Sequence, residues 1–283
     1  MVTLCLSPSK RSVNDEALAP SGEESYDSVT MIGVFDSGIG GLTLVAELIR
    51  VLPNYPIIYF GDTARAPYGN KSPETIIRYA KEDAAFLLSK GATVIVIGCN
   101  TASAEATDAL RAAHPNVPIF DVITPAVAAT TGEKVGVIGT RATIASGVYQ
   151  RLLRDRVVVT APCPLFVPLV EEGYVNRPET KMIARRYLAP LKERDIDSLI
   201  LGCTHYPLLK GIISAKMGKR VKLIDPAFET ARHIAATVTS LPVKPDGGLR
   251  HVYVSDLTPH VATAARHLLG HDITLERVAI PTL

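Results

Sequence analysis

A chain of 283 residues, 47% hydrophobic and 20% charged, is long enough for two domains of about 150 residues each and is no small disulfide scaffold. Lys and Arg number 30 against 28 Asp and Glu, and the resulting net charge of +2 supplies no electrostatic footprint for nucleic acid. The four cysteines, Cys5, Cys99, Cys163 and Cys203, form neither a zinc-finger spacing nor a CxxC redox motif, and no apolar run approaches the eighteen or so residues of a membrane span.

The start, MVTLCL, meets Ser7, Pro8, Lys10 and Arg11 almost at once, unlike a secretory leader. A chain that is not exported keeps its thiols reduced, so a cytoplasmic enzyme is the expectation. Residues 1–30 carry six serines and two prolines without periodicity and read as a flexible extension. From Met31 onward, short apolar runs alternate with helical patterns. Ile32-Gly33-Val34-Phe35 and Ile57-Ile58-Tyr59-Phe60 read as strands. Pro73 to Ser89 follows as a helix, with Ile76, Ile77, Ala80, Ala84 and Leu87 on one face, Ser72 as cap and Pro73 at the first helical position. Further strands are Thr93 to Ile97, Lys134 to Ile138 and Ser198 to Leu201. Strands apolar along their whole length suit parallel sheets buried on both faces, and a βαβα order predicts a doubly wound α/β fold.

The chain also repeats itself. Ile32-Gly33-Val34-Phe35 resembles Val135-Gly136-Val137-Ile138, and Ile97-Gly98-Cys99-Asn100-Thr101 resembles Leu201-Gly202-Cys203-Thr204-His205. The two matches keep the same order, and one residue of insertion reconciles their offsets. This predicts an internal duplication: two pseudo-symmetric, mainly parallel domains with the active site in the cleft between them.

In each half a strand runs into Gly-Cys, so Cys99 and Cys203 are expected at strand carboxyl ends where a helix begins and where open α/β sheets bind ligands. A helix N-terminus favours thiolate and lowers the pKa from about 8.5. Asn100, Thr101, Thr204 and His205 add donors for carboxylates. Cysteine is often plain core, and that reading suffices for Cys5 and Cys163. Two equivalent placements argue for function at Cys99 and Cys203. Thiols on opposite sides of one carbon suit removal of a proton from one face and delivery to the other, which inverts a stereocentre. A redox pair, or a cysteine hydrolase with His205 as base, is the alternative.

Asp36-Ser37-Gly38-Ile39-Gly40-Gly41 follows the first strand, and its glycines permit a tight turn that exposes backbone N–H groups to an anion. It matches neither the Rossmann nor the P-loop spacing. Asp36 either orients an ammonium group and assists a thiol, or merely forms the turn. In the loop Gly61 to Gly69, Tyr68 offers a hydroxyl and Gly69 a backbone donor, unless Pro67 and Gly69 serve only the turn.

Taken together, Phe35 to Gly41, Pro67-Tyr68-Gly69, Cys99 to Ser103 and Cys203-Thr204-His205-Tyr206-Pro207 resemble the motifs of the glutamate racemases, within the aspartate/glutamate racemase superfamily, over residues 31 to about 275. The resemblance implies a cofactor-independent, metal-free interconversion of L-glutamate and D-glutamate that supplies D-glutamate for peptidoglycan. It further implies Cys99 and Cys203 as catalytic acid/bases assisted by Asp36 and His205. Asp36, Ser37, Tyr68, Gly69, Asn100, Thr101, Thr140, Thr143, Thr204 and His205 are then substrate contacts, with Glu171 supporting the histidine. Aspartate racemases tend to carry an acidic residue where His205 stands, which favours glutamate. Domain limits expected from the resemblance are 31–118 plus 227–283 against 119–226. Possible partners it implies are a UDP-linked cell-wall precursor, UDP-N-acetylmuramoyl-L-alanine, as activator, DNA gyrase, and a second copy in a homodimer; no membrane is implied.

Overall fold

In a computed structural model of the chain, residues 30–238, 247–269 and 273–280 are described; the expected extension, with Cys5, lies outside them apart from Thr30. Ten strands are described: β1 Ile32–Asp36, β2 Pro56–Gly61, β3 Val94–Ile97, β4 Ile119–Asp121, β5 Lys134–Gly139, β6 Val157–Pro162, β7 Ser198–Gly202, β8 Lys222–Ile224, β9 Gly248–Val254 and β10 Leu275–Arg277. They form a six-stranded sheet, β10-β9-β2-β1-β3-β4, and a four-stranded sheet, β6-β5-β7-β8. Every pairing is parallel. The short strand β4 pairs with β3, so the chain crosses to the second sheet after Asp121. β9 and β10 extend the first sheet beyond β2.

The duplication is visible in the register. Phe35 pairs with Ile97 as Ile138 pairs with Leu201, and Ile95 pairs with Ile119 as Leu199 pairs with Leu223. The repeated glycine has a packing cause. A Cβ on Gly33 would sit 2.7 Å from the Ala92 Cβ and 3.2 Å from that of Leu87; one on Gly136 would meet Ile196 and come within 2.8 Å of Leu191. In each half the end of the helix that precedes the cysteine strand, Pro73–Ser89 or Pro178–Glu193, lies directly on the central strand.

Both faces of both sheets are covered, which explains strands without polar alternation. On the first sheet, Ile32, Val34, Ile57 and Tyr59 pack towards the helices Leu42–Val51 and Pro226–Val238, while Phe35, Ile58 and Phe60 pack towards Pro73–Ser89 and Asn100–Ala113. On the second, Leu199 and Leu201 face one core and Ile200 the other. Ser72 caps its helix by accepting from Thr75 N, with Pro73 first in the helix. Among the described residues no helix is long and apolar enough to cross a membrane.

Candidate active site

Strand order 2-1-3-4 reverses direction between β1 and β3, and its copy does so between β5 and β7. Such switch points open a crevice at the strand carboxyl ends. Asp36 ends β1, Cys99 follows β3, Thr140 follows β5 and Cys203 follows β7. The two crevices share one pocket. Ser37, Tyr68, Gly69, Cys99, Asn100 and Thr101 line it from the first half; Thr140, Glu171, Cys203, Thr204 and His205 line it from the second. Asp36 and Thr143, both buried, lie behind that wall. The pocket holds about 30 Å³, room for a water or two and less than an amino acid occupies.

Cys99 caps the helix Asn100–Ala113: its Sγ accepts from Ala102 N at 3.4 Å and its thiol donates to Ser37 Oγ at 3.5 Å. The expected lowering of its pKa does not occur. Burial, with the nearby charge of Asp36, pushes the thiol up to about 12 against the hydrogen bonds it shares with Ala102 and Ser37. Desolvation of a thiolate outweighs one turn of helix dipole.

Cys203 is followed by a turn and the short 3₁₀ helix Tyr206–Leu209 before the α-helix Lys210–Met217, so no α-helix begins at this cysteine. Its partner is a side chain instead. His205 Nδ1 lies 3.8 Å from the Cys203 sulfur and 3.4 Å from Thr204 Oγ1, and His205 Nε2 lies 3.1 Å from Glu171 Oε1. Burial alone would lower the imidazole pKa, but the bonds to Cys203 and Glu171 and their charges raise it to about 10. Near neutral pH His205 is therefore an imidazolium that donates from both nitrogens.

Asp36 is fully buried, and one carboxylate oxygen accepts from Gly38 N at 3.0 Å while the other has no partner. Burial raises its pKa against the pull of His205 and three backbone N–H groups. One glycine of its loop, Gly40, serves close approach between the halves. A Cβ on Gly40 would strike Thr204 Oγ1 and come within 2.8 Å of the His205 ring.

The polar wall is a set of hydroxyls and one amide. Thr101 Oγ1 lies 2.9 Å from Thr140 and 3.1 Å from Thr143, which are 2.9 Å from each other. Asn100 Oδ1 accepts from the Tyr149 hydroxyl at 2.8 Å. Tyr149, one tyrosine in the short helix Val148–Leu152, carries no motif that the sequence alone could show. The hydroxyl expected of Tyr68 is turned away from the pocket, 2.5 Å from Asp62 Oδ2 and 2.8 Å from Asp83 Oδ2. Tyr68 thus borders the pocket without offering its hydroxyl, and Gly69 fits against Thr140, whose Cβ would lie 2.7 Å from an added one.

The arrangement offers two buried sulfurs, a cation and several donors around one small space, with an unpartnered carboxylate oxygen buried behind its wall. Most of the chain is similar to known proteins. Residues 39–234 match the Asp/Glu/Hydantoin racemase family. A glutamate racemase of Geobacter metallireducens is 46% identical over 250 residues, which is 84% of this chain and 92% of that one. The crystal structure of glutamate racemase from Francisella tularensis in complex with D-glutamate superposes with a TM-score of 0.83 at 38% identity, covering 89% of this chain and 98% of that one. The Escherichia coli glutamate racemase in complex with L-glutamate and the activator UDP-MurNAc-ala superposes at 0.75 with 26% identity, covering 89% and 99%. On the family match and the extent of these likenesses, the chain belongs to the Asp/Glu/Hydantoin racemase family.

Proposed function

We infer that this protein interconverts L-glutamate and D-glutamate without a cofactor, supplying D-glutamate to cell-wall synthesis in the cytoplasm. The observation that carries the reading is that Cys99 and Cys203, equivalent residues of a duplicated fold, line one pocket from its two halves.

In one direction the Cys203 thiolate takes the α-proton, and Cys99, kept protonated by burial, gives its own proton to the opposite face; in the other direction the roles exchange. The His205 imidazolium, 3.8 Å away, offsets the negative charge on Cys203 whenever that sulfur is without its proton. Glu171 holds His205 charged and oriented. The free oxygen of Asp36 is suited to the substrate ammonium, and Ser37, Asn100, Thr101, Thr140 and Thr204 supply donors for its carboxylates. Thr143 supports Thr140 from behind. An α-proton is far less acidic than a thiol, and each pKa unit of mismatch is about 1.36 kcal/mol. Fixed donors in a pocket this small stabilise charge developing on the carboxylate and offset part of that gap.

The test is proton NMR of L-glutamate in deuterium oxide with purified protein and no added cofactor, alongside optical rotation. Loss of the α-proton signal in step with loss of rotation is expected. L-Aspartate turning over faster than L-glutamate would overturn the substrate; neither exchange nor rotation change from folded, reduced protein, with or without UDP-N-acetylmuramoyl-L-alanine, would overturn the reaction. The same titration tests activation by that precursor, on the precedent of the Escherichia coli relative. A homodimer and binding of DNA gyrase are carried by family resemblance alone, and light scattering and a supercoiling assay test them.

A further inference from the structure

The loop that brings Tyr68 and Gly69 to the pocket is fastened to a buried group of acids that the reaction does not use. Arg65 Nε donates to Asp62 Oδ2 at 2.5 Å and Arg65 Nη2 to Asp83 Oδ1 at 2.9 Å, and the third branch pairs with Glu82. The guanidinium lies over the Tyr79 ring, 4.0 Å from its centre. Asp62 and Asp83 are wholly buried and Glu82 nearly so. Ser255, just beyond β9, donates to Asp62 Oδ1 at 2.8 Å. One guanidinium against three carboxylates leaves excess negative charge on groups that meet little or no water, an arrangement proteins avoid by protonation.

A count of hydrogens locates the proton. The Tyr68 hydroxyl has one hydrogen, yet its oxygen lies within hydrogen-bond distance of both Asp62 Oδ2 and Asp83 Oδ2. Two ionised carboxylates carry no hydrogen, so one of these contacts would set lone pair against lone pair. Asp62 already accepts from Arg65 and Ser255, and a third bond from Tyr68 completes the solvation of its charge. The contact between Tyr68 and Asp83 is satisfied when Asp83 holds the hydrogen.

We propose that Asp83 is a neutral carboxylic acid that donates to the Tyr68 oxygen while Tyr68 donates to Asp62, and that this chain of bonds holds Tyr68 and Gly69 at the pocket wall. Asp83 is then a positioning residue for the racemisation inferred above, on which this role rests. Burial, with the charge of Asp62, drives the Asp83 carboxyl far above the ordinary carboxylate range, and the charge of Arg65 only partly opposes it. The Tyr68 phenol is also pushed up by burial and by Asp83 and Asp62, as a group that keeps its hydrogen must be. The loop is gripped on one side by the helix Pro73–Ser89 and on the other by the end of β9. Gly69 in turn abuts Thr140 of the second half, so a shift at Tyr68 reaches the junction between the halves.

Asparagine reproduces the bonding of a neutral aspartic acid: its oxygen accepts from Arg65 and its amide donates to Tyr68. Asp83→Asn is expected to keep kcat and KM for glutamate within about twofold of the unaltered chain, whereas Asp83→Ala and Tyr68→Phe raise KM about tenfold with a smaller change in kcat. Infrared difference spectra of the unaltered protein against Asp83→Asn in deuterium oxide at pH 8 are expected to show the carbonyl stretch of a protonated carboxyl. Absence of that band, or an Asp83→Asn variant as impaired as Asp83→Ala, overturns the proposal. If Asp83→Ala does not fold, the spectrum and the Asp83→Asn kinetics still decide. An unaltered protein that racemises no amino acid removes the reading of function, while the spectrum separately settles the proton.

Discussion

The Tyr149 hydroxyl donates to the Asn100 side-chain oxygen at 2.8 Å, linking a helix that packs on the second sheet to the first turn of the helix that follows Cys99. With its oxygen engaged, the Asn100 amide presents its nitrogen as the remaining donor.

Tyr149→Phe leaves that oxygen buried without a donor, at a cost of about 1–3 kcal/mol in stability, and frees the amide to flip. A lower melting temperature and a KM for glutamate raised about tenfold, with kcat little changed, are expected from melting curves and steady-state kinetics. An unchanged KM would mean that Asn100 contributes no donor to the substrate.

His205 gives the site its pH dependence. Burial works against its charge, yet the bonds to Cys203 and Glu171 lift its pKa from 6.5 to about 10. A pKa raised on folding contributes stability that is fully present below about 6.5 and is lost as the pH rises through about 10. The melting temperature of the unaltered chain should therefore exceed that of His205→Asn most at pH 6 to 7, with the difference shrinking above pH 10. Glu171→Gln removes the negative charge that favours the imidazolium, so the alkaline fall in kcat should move to lower pH. A limb that does not move would remove Glu171 from the support of His205.

The parts of this fold and site that are legible in the sequence are those set by local pattern. Apolar strands, the Ser72 cap and the repeated Gly-Val and Gly-Cys signatures all survive in the structure. What escapes is set by tertiary packing. A helix start at Cys99 is visible in sequence, but the desolvation that overrides its dipole comes from two halves closing over the sulfur. The direction of the Tyr68 hydroxyl depends on Asp83, whose only trace is a pair of acids, Glu82 and Asp83, inside the apolar face of a helix. The three residues of β4 are too few to mark the end of the first sheet.

Gly40 tests how closely the two halves must meet. A methyl group there would strike Thr204 Oγ1 and press within 2.9 Å of His205 Nδ1. Gly40→Ala should lower kcat about 10²-fold, the effect of an ångström of misplacement at a reacting group, and destabilise by about 1–3 kcal/mol. Gly211→Ala, where nothing lies within 4 Å of the added carbon, is the control and should leave kcat unchanged. Equal kinetics in both variants would show that the Asp36–Gly41 loop has room to yield.

The division of labour between the thiols makes the strongest prediction. Cys99 and Cys203 end equivalent strands of opposed halves, so each sulfur should reach only one face of the α-carbon. Cys99→Ser and Cys203→Ser should each lose racemisation by about 10²–10⁴-fold or more, the range of a lost general acid or base, with melting temperatures close to that of the unaltered chain. A glutamate analogue with a leaving group at its β-carbon needs only the first half of the reaction: one base removes the α-proton, the leaving group departs with its electron pair, and the resulting enamine hydrolyses to a keto acid. Each variant should therefore release keto acid from one enantiomer of the analogue, and the two variants should prefer opposite enantiomers. Release from both enantiomers by one variant would mean that a single thiol reaches both faces, and the duplicated cysteines would then not act as a pair.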